Sequence, residues 1–196
     1  MHKSALHLGS VFRLSLIFVL ATAAVAAPVT YGPGTTGAIL DVFTNEFTLT
    51  VPDSVVITDV NVGINLTHTW DGDLDIFIIS PLGTIVELSS DNGASGDNYI
   101  NTIFDDEAGT LIAAGAAPFT GSFQPEGLLS AFDGENALGL WTLRIIDDQA
   151  LDVGSLSNWS LTIDSDAPSS VPEPGTLSLL GVAGLALIGI RRRRTV

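Results

Sequence analysis

Carboxylates dominate the side chains of this sequence that could do chemistry. Asp73, Asp97, Asp105 and Asp106 stand out, because they lie at a strand end or in polar loops and offer hard oxygens. Calcium takes about six to eight oxygens from carboxylates, carbonyls and water. Carboxylates packed near one another repel unless a cation sits between them. These four residues are therefore the candidate ligands of a calcium ion, the one cofactor the sequence suggests. They do not form an EF-hand. If Asp71, Asp73 and Asp75 opened such a loop, Ile76 and Leu82 would stand where it needs Gly and Glu.

Other chemistries fare worse. A Ser-His-Asp triad needs a histidine base. The three histidines are His2, His7 and His68, and the first two fall in an N-terminal segment that reads as removable. His68 falls on the apolar side of a strand beside Trp70, which reads as a core histidine held by a neighbouring carboxylate or carbonyl. There is no cysteine, so thiol catalysis and Cys/His zinc sites are excluded. Paired carboxylates could hydrolyse glycosides, but with so many acids chance pairs are plentiful and none is singled out. No catalytic residue is assigned. Trp70, Tyr99, Trp141 and Trp159 could stack on sugars, yet three of them sit at strand positions within apolar periods and read as core. Asn65-Leu66-Thr67 and Asn158-Trp159-Ser160 match glycosylation sequons inside predicted strands.

The elements that position these residues are short strands. Val60, Val62, Ile64, Leu66 and Trp70 share one parity, while Asp59, Asn61, Asn65, Thr67 and Thr69 take the other, which predicts a long half-buried strand. Asp73 to Ser80 is apolar on nearly both faces and reads as a central strand. Pro81-Leu82-Gly83 is turn chemistry, returning into Thr84 to Ser89. Asp91 to Asn98 is a loop, Tyr99 to Phe104 a strand, and Ala108 to Gln124 a long irregular connection. Leu128 to Phe132 reads as one helical turn or another strand. Leu140 to Ile146 and Leu156 to Ile163 are the last strands. With no long amphipathic helix, the pattern predicts a two-sheet sandwich.

The two ends read differently. Lys3 and Arg13 precede an apolar run from Leu14 to Val25, and Ala24-Val25-Ala26 supplies a small-x-small site for a signal peptidase, with cleavage after Ala26. At the other end Pro172-Glu173-Pro174 precedes an apolar run closed by Arg191, Arg192, Arg193 and Arg194. Leu177 to Ile190 would cover about 21 Å as a helix, short of ~30 Å of hydrocarbon. The arginines favour the cytoplasmic side, which places everything before them outside. Between the ends, the body has every acidic residue but Glu173 and one cation, Arg144, for a formal charge of −20. That charge excludes nucleic acid and anionic lipid as partners and suits bound cations.

Two resemblances follow. Pro-Glu-Pro, a short apolar helix and a terminal arginine cluster resemble a PEP-CTERM sorting signal. This implies a Gram-negative bacterium, an exosortase-type processing enzyme and delivery to the cell envelope, cell surface or extracellular matrix. In the body, His68-Thr69-Trp70-Asp71-Gly72-Asp73-Leu74 runs into Ser80-Pro81-Leu82-Gly83-Thr84. Gly139-Leu140-Trp141-Thr142-Leu143 and Gly154-Ser155-Leu156-Ser157-Asn158-Trp159-Ser160-Leu161 follow. From about Phe47 to Asp164 these resemble the P domain, or P/Homo B domain, of proprotein convertases in its bacterial branch. The resemblance implies an all-β, galactose-binding-like jelly-roll β-sandwich that packs on a subtilisin-like protease, although no protease domain stands beside it here. The expected organisation is a signal peptide (1–26), a leader (27–45) in which Pro28 to Gly37, rich in Gly, Pro and Thr, reads as a leader or short edge segment, the sandwich (46–165), a linker with the Pro-Glu-Pro motif (166–175), a transmembrane helix (176–190) and a basic cytoplasmic tail (191–196). The expected function is a non-catalytic, calcium-stabilised interaction or structural module. The alternatives are a carbohydrate-binding surface module for a surface polysaccharide, and an accessory partner of a subtilisin-like protease in trans.

Overall fold

The computed structural model describes residues 26–166, so the predicted signal peptide, Pro-Glu-Pro motif, membrane segment and arginine tail lie outside the described residues. Ten strands form two sheets. They are β1 (Val29–Tyr31), β2 (Gly37–Ile39), β3 (Phe43–Val51), β4 (Ile57–His68), β5 (Leu74–Ile79), β6 (Ile85–Ser90), β7 (Tyr99–Phe104), β8 (Phe119–Phe123), β9 (Gly139–Asp147) and β10 (Gly154–Ser165). One sheet runs β1-β10-β4-β7-β8, with β2 also on β10, and the other runs β3-β9-β5-β6. The chain passes repeatedly from one sheet to the other, and only the β7–β8 pair is parallel. This is the expected all-β sandwich. Among the described residues no helix is long and apolar enough to cross a membrane.

The core lies between the sheets and follows the period of two. In β4, Ile57, Val60, Val62, Ile64, Leu66 and His68 are buried. In β9, Trp141, Leu143, Ile145 and Asp147 are buried. A one-residue slip in a strand would turn its apolar set outward. β10 makes such a shift deliberately, with a bulge between Leu156 and Asn158 that brings even-numbered Leu156 and odd-numbered Trp159 to the same buried side. Both core tryptophans satisfy their indole N–H, Trp141 donating to Ala137 O at 3.0 Å and Trp159 to Thr35 O at 3.1 Å.

Three segments differ from the sequence expectation. Residues 27–45 are not a separate leader, because β1 and β2 pair antiparallel with β10 and belong to the sandwich. Their Gly- and Pro-rich composition hides strands of only three residues, too short to show a period. The connection between Ala108 and Gln124 contains β8, which pairs in parallel with β7, and Phe119 and Phe123 at its ends are buried. Trp70 is outside the core. β4 ends at His68, and Trp70 precedes a 3-10 turn at Asp71–Asp73 with 43% of its surface exposed. Leu129–Phe132 forms a 3-10 turn, one of the two alternatives expected there.

Candidate functional site

The chemistry gathers at one pole of the sandwich, where β4 ends, β5 begins, β9 ends and β10 begins. Four loops meet there: 40–42, 69–73, 91–98 and 148–153. Side chains tie them together. Thr69 Oγ1 donates to Asp152 Oδ1 at 2.7 Å, and Leu151 N donates to both carboxylate oxygens of Asp41 at 3.2 Å. Asn98 clamps two elements. Its Oδ1 accepts from His68 N at 3.0 Å, and its own N–H donates to Asp71 Oδ1 at 2.9 Å.

His68 is buried, as expected of a core histidine. Its Nδ1 lies 2.8 Å from Trp70 O and its Nε2 lies 3.2 Å from Asp147 Oδ2. Asp147 is buried too, and its Oδ1 has no hydrogen-bond partner. Burial pushes the Asp147 carboxyl above its ordinary value, while His68 opposes the rise. With Nδ1 held against the Trp70 backbone, whose carbonyl lies at 2.8 Å and whose N–H lies at 3.3 Å, and Nε2 held against Asp147, His68 is a structural clamp between the sheets.

Asp71 is the other buried acid. It has no exposed surface and its Oδ2 has no partner. Burial pushes its carboxyl up to about 7. The Asn98 N–H and His68 act against this, and Asp97 adds to it. Loop 91–98 wraps over it: Asp71 N donates to Gly96 O at 2.8 Å and Gly72 N to Ala94 O at 3.0 Å. At Gly93, where φ is +94°, a side chain would come within 2.9 Å of the Asp71 Cβ, so only glycine lets the loop close.

The four expected calcium ligands separate into two groups. Asp73 is buried at the end of the 3-10 turn, where burial and then Asp152 and Asp147 raise its carboxyl. Asp97 is exposed in loop 91–98, in the field of Asp71. Asp105 and Asp106 follow the far end of β7, about 20 Å or more from Asp97 along an extended strand. One ion cannot touch both groups. Among the described residues, no three His, Asp or Glu side chains come together as metal ligands. Asp105 and Asp106 do local work instead. Asp105 Oδ1 accepts from Glu107 N at 2.8 Å. The Asp106 carboxylate accepts from Leu129 N and Ser130 N, each at 2.9 Å, and so caps the 3-10 turn that buries Leu129 and Phe132. Asp106→Ala is expected to cost about 1–3 kcal/mol in a urea melt, with Asp106→Asn losing less.

Sequence reasoning passed over Asp71 and Asp147 as site residues. Asp71 was weighed only as the first ligand of an EF-hand that fails. Its burial is set by a loop more than twenty residues away, for which the local sequence holds no signal.

Residues 57–163, more than half of the chain, match the family model of the proprotein convertase P-domain. The chain belongs to this P-domain family. The model of the PEP-CTERM protein-sorting motif matches residues 170–194, immediately after the sandwich. The P domain is therefore part of an exported chain that has its own sorting signal. Among curated proteins, Leupeptin-inactivating enzyme 1 of Streptomyces exfoliatus is 28% identical over 149 residues. The match covers 68% of this chain and 28% of that protein. Among solved structures, the serine protease of Aeromonas sobria aligns at 20% identity and a TM-score of 0.46, covering 71% of this chain and 27% of that one. The same protease in complex with the chaperone ORF2 aligns at 21% and 0.47, covering 72% and 28%. The chain thus spans just over a quarter of the length of these relatives.

Proposed function

We propose that this chain is a non-catalytic P-domain module, delivered to the cell surface or extracellular matrix, that works by holding a protein partner at the loop pole. The observation that carries this is the apolar character of that pole. Leu151 is 92% exposed with φ at +97°, and Val42, also exposed, has φ at +49°. Left-handed backbone is costly for bulky and β-branched residues and persists only where surrounding structure holds it. Here the Asp41 carboxylate holds Leu151 beside the Val42 loop. Leu40, Phe43 and Val153 are exposed around them. Contiguous apolar surface of this kind marks interaction sites.

Charge narrows the partner. Asp41, Asp148 and Asp152 rim the pole, and the sole cation of the body, Arg144, pairs with Glu46 at 2.8 Å. A second copy would meet like charge. The fitting partner is a protein that presents apolar side chains flanked by Lys or Arg. The longer relative is an enzyme of which the matching stretch is just over a quarter, which favours a peptide-cleaving enzyme acting in trans as that partner.

The test is a photo-reactive side chain at Leu151 in the secreted chain, expressed in the native bacterium. One discrete protein adduct is expected, lost when Val42 and Phe43 are changed to Ser. Replacing Arg191 to Arg194 with Ser should strand the chain in the inner membrane and remove the adduct. Equal surface display without the arginines, or no adduct from correctly displayed chain, would overturn the reading.

A carbohydrate-binding reading has one observation of its own. A shallow cleft of about 190 Å³ on the larger sheet sets the neutral polar side chains of Asn65, Asn101, Asn158 and Ser160 beside Gly63, Ile64, Thr102 and Ile103. Binding on a glycan array that is lost in Asn101→Ala would favour it.

A further inference from the structure

The Asp71 carboxylate is a problem that the protein atoms leave unsolved. It is fully buried, and one oxygen lacks any hydrogen-bond donor. A second carboxylate, Asp97, lies close enough to destabilise its charge. Among the described residues no Lys or Arg is available to offset them, because the one cation, Arg144, is engaged by Glu46. A buried carboxylate is stable only when paired, hydrogen-bonded through both oxygens, or bound to a cation.

What surrounds it is rich in oxygen. Loop 91–98 crosses Asp71 and Gly72 with the Ala94 and Gly96 carbonyls against their N–H groups, and Gly93 O accepts from Gly96 N at 2.9 Å. A carbonyl has two lone pairs, so each keeps one free after accepting a single hydrogen bond. Among the described residues nitrogen and sulfur offer no free ligand. The chain has no cysteine, and both His68 ring nitrogens are already engaged, Nδ1 by the Trp70 backbone and Nε2 by Asp147. An oxygen-only donor set of mixed carboxylates and loop carbonyls suits calcium, not zinc or a softer metal.

We propose that Asp71 and loop 91–98 bind one calcium ion, with the unpartnered Asp71 Oδ2 as its buried anchor, Asp97 as its second carboxylate and loop carbonyls completing the shell. The ion removes the orphaned oxygen and the repulsion between the two acids together. It also pins loop 91–98 onto the 3-10 turn at Asp71–Asp73, which fixes the base of the apolar pole. The site is independent of whether that pole holds a protein partner, since it rests on different residues and a different readout.

The test is a thermal melt of the full-length chain in non-ionic detergent at pH 7.5 and ~0.15 M salt, which screens the acidic surface equally in every arm. The arms contain chelator, millimolar magnesium or millimolar calcium. Calcium at one hundred times its Kd should raise the midpoint by about 5–10 °C over chelator. Magnesium should raise it less, because it requires tighter octahedral geometry and dehydrates reluctantly. Asp71→Asn should abolish the calcium increment. Exposed Asp97→Asn, which leaves the core untouched, should raise the calcium concentration needed for half the effect at least tenfold. Asp105→Asn with Asp106→Asn should leave the increment intact, since both residues lie beyond the other end of β7. Equal midpoints in chelator and calcium would mean that a proton alone occupies Asp71, and would overturn the proposal. So would an increment that survives Asp97→Asn at unchanged calcium concentration.

Discussion

Gly154→Ala is expected to destabilise the sandwich more than any other single methyl group added to a loop or strand end at the pole. A Cβ at Gly154 would sit 2.1 Å from Thr67 O and 2.7 Å from His68 Cδ2. Neither neighbour can yield. Thr67 O belongs to β4, the strand that β10 pairs with over nearly its whole length, and the His68 ring is fixed at both nitrogens. Overpacking a well-filled interior costs about 1–3 kcal/mol, and more where the obstacle is backbone. The expected loss is therefore at least about 3 kcal/mol, or roughly 6–12 °C in the melting midpoint for a domain of this size. Gly83→Ala makes the control. Gly83, unlike Gly154, has positive φ, but nothing lies within 4 Å of a Cβ there, so only backbone strain of about 1 kcal/mol is expected. A Gly154→Ala variant that melted with wild type would mean that β4 and β10 do not approach as described.

His68→Ala carries the second large effect. Among the described residues the histidine is the one side chain that hydrogen-bonds the Asp147 carboxylate, whose other oxygen already has no partner. Removing it leaves a buried carboxylate with only the Gln149 backbone to hold its charge, a loss of about 3–5 kcal/mol at neutral pH. The pH dependence gives the cause away. Burial raises the Asp147 carboxyl in the folded state above its ordinary value, and His68 acts against that rise. Without His68 it rises further. A folded-state value above the unfolded one stabilises at low pH, and the stabilisation is lost as pH rises through the folded-state value. The variant should therefore come closest to wild type near pH 4 and fall behind progressively toward pH 8. His68→Ala combined with Asp147→Leu should recover much of the loss, because no charge is then buried. A pH-independent deficit would assign the loss to packing alone.

These residues also mark how far the sequence could be read. The alternation in β4 and β9 was legible because one face of each is buried and the other is not. His68 is placed in the core by its parity, and of the carboxylate or carbonyl expected to hold it the structure supplies both. Trp70 failed by the same rule, since parity says nothing about where a strand stops, and β4 stops two residues earlier. β1 lies in a stretch legible only as a leader or short edge segment, and β2 and β8 are not legible, because strands of three to five residues show no period and what makes them strands is a neighbour far along the chain. The acidic candidates suffered from the same distance problem. Asp97 and Asp105 look close in sequence, yet an intervening strand sends them to opposite poles. Nothing local marks Asp71 as buried, and a loop over twenty residues on buries it.

The placement of β10 also has a mechanical meaning. Its first residue, Gly154, lies beside His68 at the loop pole, and its last, Ser165, pairs with Ile57 at the opposite pole, about 40 Å away. The sorting motif begins a few residues beyond Ser165. A chain attached through that motif would be held by one pole and present the other outward. On the function proposed above, a pull on a captured partner would then travel along β10 toward the tail. That strand is bonded along one edge to β4 and along the other to β1 and β2, so force applied along its axis loads those ladders in shear, with many hydrogen bonds sharing the tension. A tether attached at the turn before Gly83 would instead peel β6 from β5 one bond at a time. Leaving the sheet from the end of an inner strand makes the module a strong link between a surface and whatever it grips.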